Sequence, residues 1–390
     1  MVQSRISLES NKKERIIIRI SYYQTMLNRE EHITLTVNAF VKLGKFINQF
    51  SSIGFLRNND LYELNDKFEE SFTRQIKDAA IYNPWFTEEF IRYSFGSIVS
   101  SLEEEKILRW LSYYPELHRE FSHKKIIGLV MAGNIPLVGF HDVISVVLSG
   151  NILLAKLSSK DDKLFPVLRE VLCHVYPALE TVIEFSDRPL RNIDAVIATG
   201  SNNSSRYFEY YFGKYPHIIR NNRNSAAVLT GSESKRELEK LADDIFTYFG
   251  LGCRNVSKIF LPKDYDPAIF LEQFEGYSYL YNHNKYANNY NYHRAIFLID
   301  RVQHLDNGFM LLKEDKGYSS PAGVLYYERY DNIEDLRIKL NNDSDKIQCL
   351  IASDGIIEGS LPFGESQHPD LWNYADNVDT LKFLINLYKK

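Results

Sequence analysis

The residues able to do chemistry gather at one thiol and three turns. Cys253 lies in YFGLGCRNVSKIFLP, between Gly252 and Arg254 and ahead of a short apolar strand-like run, Lys258 to Leu261. A thiolate is a strong nucleophile and a nearby cation favours it, so a cysteine on a glycine-rich turn beside an arginine suits covalent catalysis. A small, buried, unreactive thiol is the other reading of the same residue. In MAGNIP, Asn134 follows a strand-like run, where its amide N–H can face a developing oxyanion or cap the next helix. In NILLAKLSS, a buried strand delivers Lys156 to its carboxyl end, the side of an open α/β sheet where ligands bind. In IATGSNNSS, Thr199, Gly200 and Ser201 lead into a helix start able to accept a phosphate, although Ser201 and Asn202 also suit plain capping. Cys173 in EVLCHVY and Cys349 in IQCLIA read as core.

Several familiar fingerprints are missing. Gly250 and Gly252 follow a helical segment rather than a strand, and no glycine stands at 255, so they do not begin a dinucleotide-binding turn. The chain has no P-loop, no H-E-x-x-H, no cysteine pair at zinc spacing and no G-x-S-x-G.

The elements that must position these residues follow from periodicity. Residues 36 to 118 read as mostly helical, after two short β-like runs at Ile6–Leu8 and Ile16–Ile20. From Lys125 onward, short apolar runs alternate with amphipathic segments: KIIGLVMAG, NILLAKLSS and IDAVIATG as strands, with helices between them. That alternation implies βαβ units and a doubly wound parallel sheet. Beyond Cys253, SKIFLP, AIFLID, GVLYYERY and KIQCLIAS read as strands of a second α/β unit, and YNHNKYANNYNYH reads as a long loop. The last stretch, VDTLKFLINLYKK, reads as a strand or helix packing back on the first unit.

Bulk properties exclude some classes. At 390 residues the chain exceeds what one core usually serves, so two domains are expected. A net charge of -5 leaves no electrostatic footprint for nucleic acid. No apolar run suits a secretory leader or a membrane span. Three scattered cysteines read as reduced thiols of a cytoplasmic protein. With 26 Tyr and 24 Phe the chain is rich in aromatics, which a Tyr-rich core would absorb, YYF and YSYLY included.

The order GNIP, LLAKLSS, ATGS and FGLGC resembles the aldehyde dehydrogenase superfamily. The match is closer to its branch of bacterial long-chain fatty acyl-CoA reductases of the bioluminescence type, and it runs from about Lys125 to the C-terminus. The resemblance implies an α/β fold of two doubly wound parallel-sheet domains with an N-terminal helical region. It implies a nucleotide-binding domain over 1–228, a catalytic domain over 229–358 and a segment returning to the first domain over 359–390. By the same resemblance Cys253 is the nucleophile and Asn134 lines the oxyanion hole. Lys156, Ser158, Ser159, Thr199, Gly200 and Ser201 hold the cofactor, and Phe363 and Gly364 of LPFGES lie near the active site. RNNRNSAAVL stands where hydrolytic members carry a water-activating Glu, which fits acyl transfer between thiols. Ser159 stands where NAD-preferring members carry an acid, which leaves room for a 2′-phosphate and points to NADPH. The implied reaction is NADPH-dependent reduction of an acyl-CoA or acyl-carrier thioester to an aldehyde. Relatives commonly assemble through C-terminal strands, so a homo-oligomer is implied too. Aldehyde oxidation and acyl-phosphate reduction remain open. So does a non-catalytic cofactor-binding scaffold, which the altered SSPAGVL segment favours.

Overall fold

The computed structural model describes residues 28–51, 55–119, 123–200 and 202–389. The runs at Ile6–Leu8 and Ile16–Ile20, and Ser201, lie outside them. The first sheet holds β1 (Ile126–Val130), β2 (Ile152–Lys156), β3 (Ile183–Phe185), β4 (Ala195–Thr199) and β5 (His217–Arg220). Its order is β3-β2-β1-β4-β5, with every pair parallel. Continuous apolar strands are what a sheet covered on both faces requires. Ala195 and Ile197 of β4 join a large core with the helices Phe140–Leu148 and Leu164–Val175. Val196 and Ala198 point the other way, into a cluster with Phe208 and Phe212 of the helix Asn202–Phe212.

The second sheet holds β6 (Asn224–Val228), β7 (Val256–Pro262), β8 (Leu305–Asp306), β9 (Leu311–Glu314), β10 (Val324–Tyr330) and β11 (Ile347–Ala352). Its order is β11-β6-β7-β10-β9-β8, parallel except for the β8/β9 edge. Ile259 and Leu261 of β7 pack with the helix Lys235–Phe246 on one face, and Phe260 packs with Leu336 and Leu340 on the other. The boundary at 228 therefore needs correction as a division between sheets. β6 pairs with β7 and β11, so the chain changes sheet between Arg220 and Asn224.

Among the described residues, four α-helices precede the first sheet, at Arg29–Asn48, Tyr62–Tyr82, Glu88–Ser101 and Glu104–Ser112. Asn28 and Glu31 cap the first reciprocally, and Thr87 accepts the Phe90 N–H at the start of the third. Phe46, Phe72 and Phe95 pack in series, with ring centroids 5.6 and 5.2 Å apart, the second pair stacked. Much of the aromatic content is thus core. YYF is a correction: Tyr210 is 83% exposed and Tyr211 62%. In YSYLY, Tyr279 and Tyr281 are also exposed, and only Leu280 is fully inside.

A third correction concerns 281–300. The expected loop and the AIFLID strand form one helix, Asn284–Ile299, capped by His283. Its buried residues, Tyr286, Tyr290 and Phe297, recur at helical spacing, while Leu298 and Ile299 project outward at its end. A short apolar run does not by itself separate strand from helix. Among the described residues, no helix is long and apolar enough to cross a membrane.

The C-terminal residues fold as the helix Thr380–Asn386, whose Leu381 and Leu384 are fully buried in the first core. The preceding segment is tied down by polar bonds. Trp110 Nε1–H donates to Tyr374 Oη at 2.7 Å, the Tyr114 and Tyr374 hydroxyls lie 2.7 Å apart, and Tyr114 donates to Asp379 at 2.9 Å. Tyr374→Phe leaves the buried Trp110 N–H without its acceptor. It should cost about 1–3 kcal/mol in urea unfolding with an unchanged denaturant slope. A loss below about 0.5 kcal/mol would mean that this network does not anchor the segment.

Candidate active site

The helix Lys235–Phe246 opens with a Ser234–Glu237 capping box and ends just before the thiol turn. Tyr248, Phe249 and Gly250 then take left-handed backbone angles in succession, with φ of 55, 58 and 73°. Such angles strain aromatic residues and persist only where the surroundings enforce them. Here Phe90 packs on both rings at 5.5 and 4.9 Å, and His283 lies 4.3 Å from Phe249. Asn255, 1% exposed, holds the turn from inside. Its Oδ1 accepts the Gly252 N–H at 2.8 Å, while Nδ2 donates to the Thr247 and Asp244 carbonyls at 2.8 and 3.0 Å. Ser225 of β6 donates to the Cys253 carbonyl at 3.0 Å. The thiol therefore projects from a turn fixed on both sides.

Cys253 lies in a wall between two cavities. The larger, about 510 Å³, is lined by Gly133, Asn134, Ser158, Lys160, Thr199 and Gly200 among others. The smaller, about 190 Å³, is mostly apolar, with Ile98, Ile135, Leu137, Val138, Phe140 and Leu371 in its lining. Ser94, Ser97 and Ser101 also line it, but their hydroxyls donate to the carbonyls of Pro136, Gln367 and Ser97. Val138, Asp142, Arg220, Cys253 and Ala375 border both spaces.

Charge at this wall is tightly paired. Arg220 Nη1 and Nη2 donate to the two Asp142 oxygens at 2.6 and 2.9 Å, a buried bidentate pair. Burial pushes the Cys253 thiol up; Arg254 pulls it back, Asp376 adds to the rise, and Arg220 opposes it. His141 donates from Nε2 to the Leu371 carbonyl at 2.8 Å, and burial lowers its pKa, so its imidazole is neutral. The loop that carries Asn134 is pinned by Asp161, whose Oδ2 accepts the Leu137 N–H at 2.7 Å, at a residue with φ of 57°. Burial pushes Asp161 up to about 7.

Of the residues singled out from sequence, Asn134, Ser158, Thr199, Gly200 and Cys253 meet at the larger cavity. The exposed Asn134 donates from Nδ2 to the Leu251 carbonyl at 2.8 Å, two residues before the thiol. Lys156 ends β2, half-buried, and Ser159 is exposed; neither lines the cavity, whereas Lys160 does. Phe363 is buried in the second core, and the Gly364 N–H donates to Asp244 at 2.7 Å, so both support the turn from behind. Gln367, Pro369 and Leu371 of the same segment reach the smaller cavity instead. Asp142, Arg220 and Asn255 carry no motif. Only a charged pair in otherwise apolar surroundings could have marked the first two.

The larger cavity has features suited to a dinucleotide. A Cβ on Gly133 would come 2.5 Å from Ser158 Oγ, and one on Gly200 would come 2.8 Å from Phe208 and Ser204, so backbone approaches closely at both turns. The helix Asn202–Phe212 begins beside it, a start able to receive phosphate, and Lys160 adds a cation. Among the described residues, no three His, Cys, Asp or Glu side chains are grouped to hold a metal.

Solved aldehyde dehydrogenases share this two-sheet fold. Aldehyde dehydrogenase 21 of Physcomitrella patens, in complex with succinate, superposes with a TM-score of 0.57, at 12% identity over 92% of this chain and 88% of its own. The indole-3-acetaldehyde dehydrogenase AldA of P. syringae gives 0.52, at 12% identity over 83% and 76%. An aldehyde dehydrogenase of Mycobacterium tuberculosis gives 0.51, at 14% identity over 83% and 77%. No curated protein matches the chain in sequence. The family model for acyl-CoA reductase (LuxC) matches residues 67–274, more than half of the chain, and the chain belongs to that family. It is accordingly an aldehyde-related oxidoreductase.

Asp161 gives the site a pH signature. Its pKa rises from an ordinary carboxylate value to about 7 on folding, so the stability that goes with its protonated form is complete below about pH 4 and lost as pH climbs through 7. Asp161→Asn should match wild type near pH 4 and exceed it by up to about 4 kcal/mol at pH 8, measured by urea unfolding across pH. Parallel stability profiles for the two proteins would contradict this.

Proposed function

We propose that the protein reduces an acyl thioester, carried by CoA or an acyl carrier, to an aldehyde through an acyl-enzyme on Cys253, with NADPH as reductant. The observation that carries this reading is the position of Cys253 between a larger cavity with features suited to phosphate and a smaller, more apolar pocket. The apolar pocket suits the acyl chain. The larger cavity would hold the dinucleotide, with Ser158, Lys160, Thr199, Gly200 and the start of the helix at Asn202 toward its phosphates. The aldehyde dehydrogenases of P. syringae and M. tuberculosis were solved with NAD+. NADPH is favoured here by Lys160, a cation in the lining suited to a 2′-phosphate.

Cys253 as thiolate attacks the thioester carbonyl carbon. Its Sγ–C bond forms, the carbon–sulfur bond to the carrier breaks, and the carrier leaves as a thiol after taking a proton. The remaining amide proton of Asn134 and the Cys253 backbone N–H are the donors for the oxyanion. When bound, the reduced nicotinamide supplies hydride to the acyl carbon. The Cys253 sulfur then reclaims the electron pair of its bond to carbon, and the aldehyde departs. Among the described residues, no glutamate lines either cavity, Asp142 is held by Arg220, and Asp376 lies 3.4 Å from Arg223. That supports transfer of the acyl group to hydride over hydrolysis.

Cys253→Ala should reduce acyl-CoA-dependent NADPH oxidation to background, followed by absorbance, while the melting temperature stays at the wild-type value. Turnover equal to wild type would overturn the mechanism. NADPH consumption with acyl-phosphate but not acyl-CoA would move the substrate class.

A further inference from the structure

Arg220 has one more donor than its surroundings use. It is 5% exposed at the end of β5. Nη1 donates to Asp142 at 2.6 Å and to Thr199 at 3.4 Å; Nη2 donates to Asp142 and to Thr380, both at 2.9 Å. These partners come from the helix Phe140–Leu148, from β4 and from the C-terminal helix, so the guanidinium is fixed from three sides. Its Nε is buried and has no partner among the described residues. A buried donor left unpaired is costly and calls for a reason. The same side chain borders both cavities together with Cys253, and its charge acts on the sulfur.

We propose that Arg220, locked in place by Asp142, is the fixed counter-charge of the Cys253 thiolate, with its Nε–H reserved for the negative charge that sulfur acquires. This rests on Cys253 being the acylated nucleophile. When the S–H bond breaks, the electron pair stays on sulfur beside the guanidinium and the proton passes to solvent. As the bond to the acyl carbon forms, that charge moves to the departing carrier sulfur, which ends as a thiol. Other groups face the thiol from each neighbouring element. Arg254 is on its own turn and Asn134 on the loop after β1. Asp142 and the neutral His141 are on the helix Phe140–Leu148. Asp376, paired with Arg223, is on the C-terminal segment, and Cys349 of β11 sits behind Ser225. Asp376 opposes the thiolate, and Arg254 is tethered to the Asn373 carbonyl at 3.0 Å. Among the described residues, that bond holds Arg254, the stronger pull on the sulfur, whereas four bonds fix the Arg220 guanidinium.

The test is the pH dependence of Cys253 alkylation by iodoacetamide, with the Cys253 peptide followed by mass spectrometry. The double variant Asp142→Asn with Arg220→Gln keeps shape and hydrogen bonding but removes the buried charges. Its midpoint should rise by about one pH unit, about a tenfold loss of rate at neutral pH. Arg220→Lys keeps the charge but loses the two-pronged pairing and the Nε–H, so its midpoint should also rise, by less than in the double variant. Asp142→Asn alone keeps the guanidinium and removes its anion, so its midpoint should fall. An unchanged profile in a double variant that melts like wild type would overturn the proposal. Should that variant melt early, Arg220→Lys decides, since it keeps both charges of the pair, and an unchanged midpoint there overturns it. Iodoacetamide reports on the sulfur alone, so failure here leaves the acyl-thioester reading standing, and the reverse also holds.

Discussion

Everything about the thiol depends on one side-chain amide. Asn255 accepts from Gly252 and donates to the carbonyls that end the helix Lys235–Phe246, so it stands in for the backbone bonds that a regular element would have supplied. Without it, three successive left-handed residues would have no internal brace. The preceding Asp244 extends the brace outward. Its carboxylate accepts from Gly364 and Ser366, which fastens the returning C-terminal segment to the same helix end. Burial raises Asp244 to about 6, with those N–H groups pulling the other way, so its hold on the segment is a balance of desolvation against hydrogen bonding.

The brace makes a wall between two sheets possible. β5 ends at Arg220, the chain crosses in three residues, and β6 begins the second sheet at Asn224. Arg220 thus stands where the sheets meet, and Ser225, just beyond, reaches back to the Cys253 carbonyl. Removing one partner of a buried ion pair typically costs about 3–5 kcal/mol, so the Asp142–Arg220 pair resists drift of the wall. The aromatic seam does the same on the apolar side, where Phe90 and Trp85 of the N-terminal region lock Tyr248 and Phe249.

Much of this was legible from sequence because parallel strands write themselves as short continuous apolar runs. KIIGLVMAG, NILLAKLSS, IDAVIATG and SKIFLP all form the expected strands. Motif order brought five of the named residues to one cavity. What stayed hidden has physical causes. The sheet change at 221–223 leaves no mark in periodicity, since β5 and β6 are only four and five residues long and too short to show which sheet each joins. The helix Asn284–Ile299 buries only three large residues among asparagines, so its stripe is faint. Lys160 replaces Lys156 at the cavity because the backbone turns after β2, which strand-end reasoning does not register. Asp142 and Arg220 are far apart in sequence, and each is unremarkable until the fold pairs them.

The central claim is that Cys253 carries the acyl group. Intact-protein mass spectrometry after incubation with an acyl-CoA, in the absence of any reductant, tests it most directly. The account predicts one added acyl mass per chain, mapped by peptide digestion to Cys253 and discharged when NADPH is added. An unmodified protein, or an adduct on Cys173 or Cys349, would contradict it.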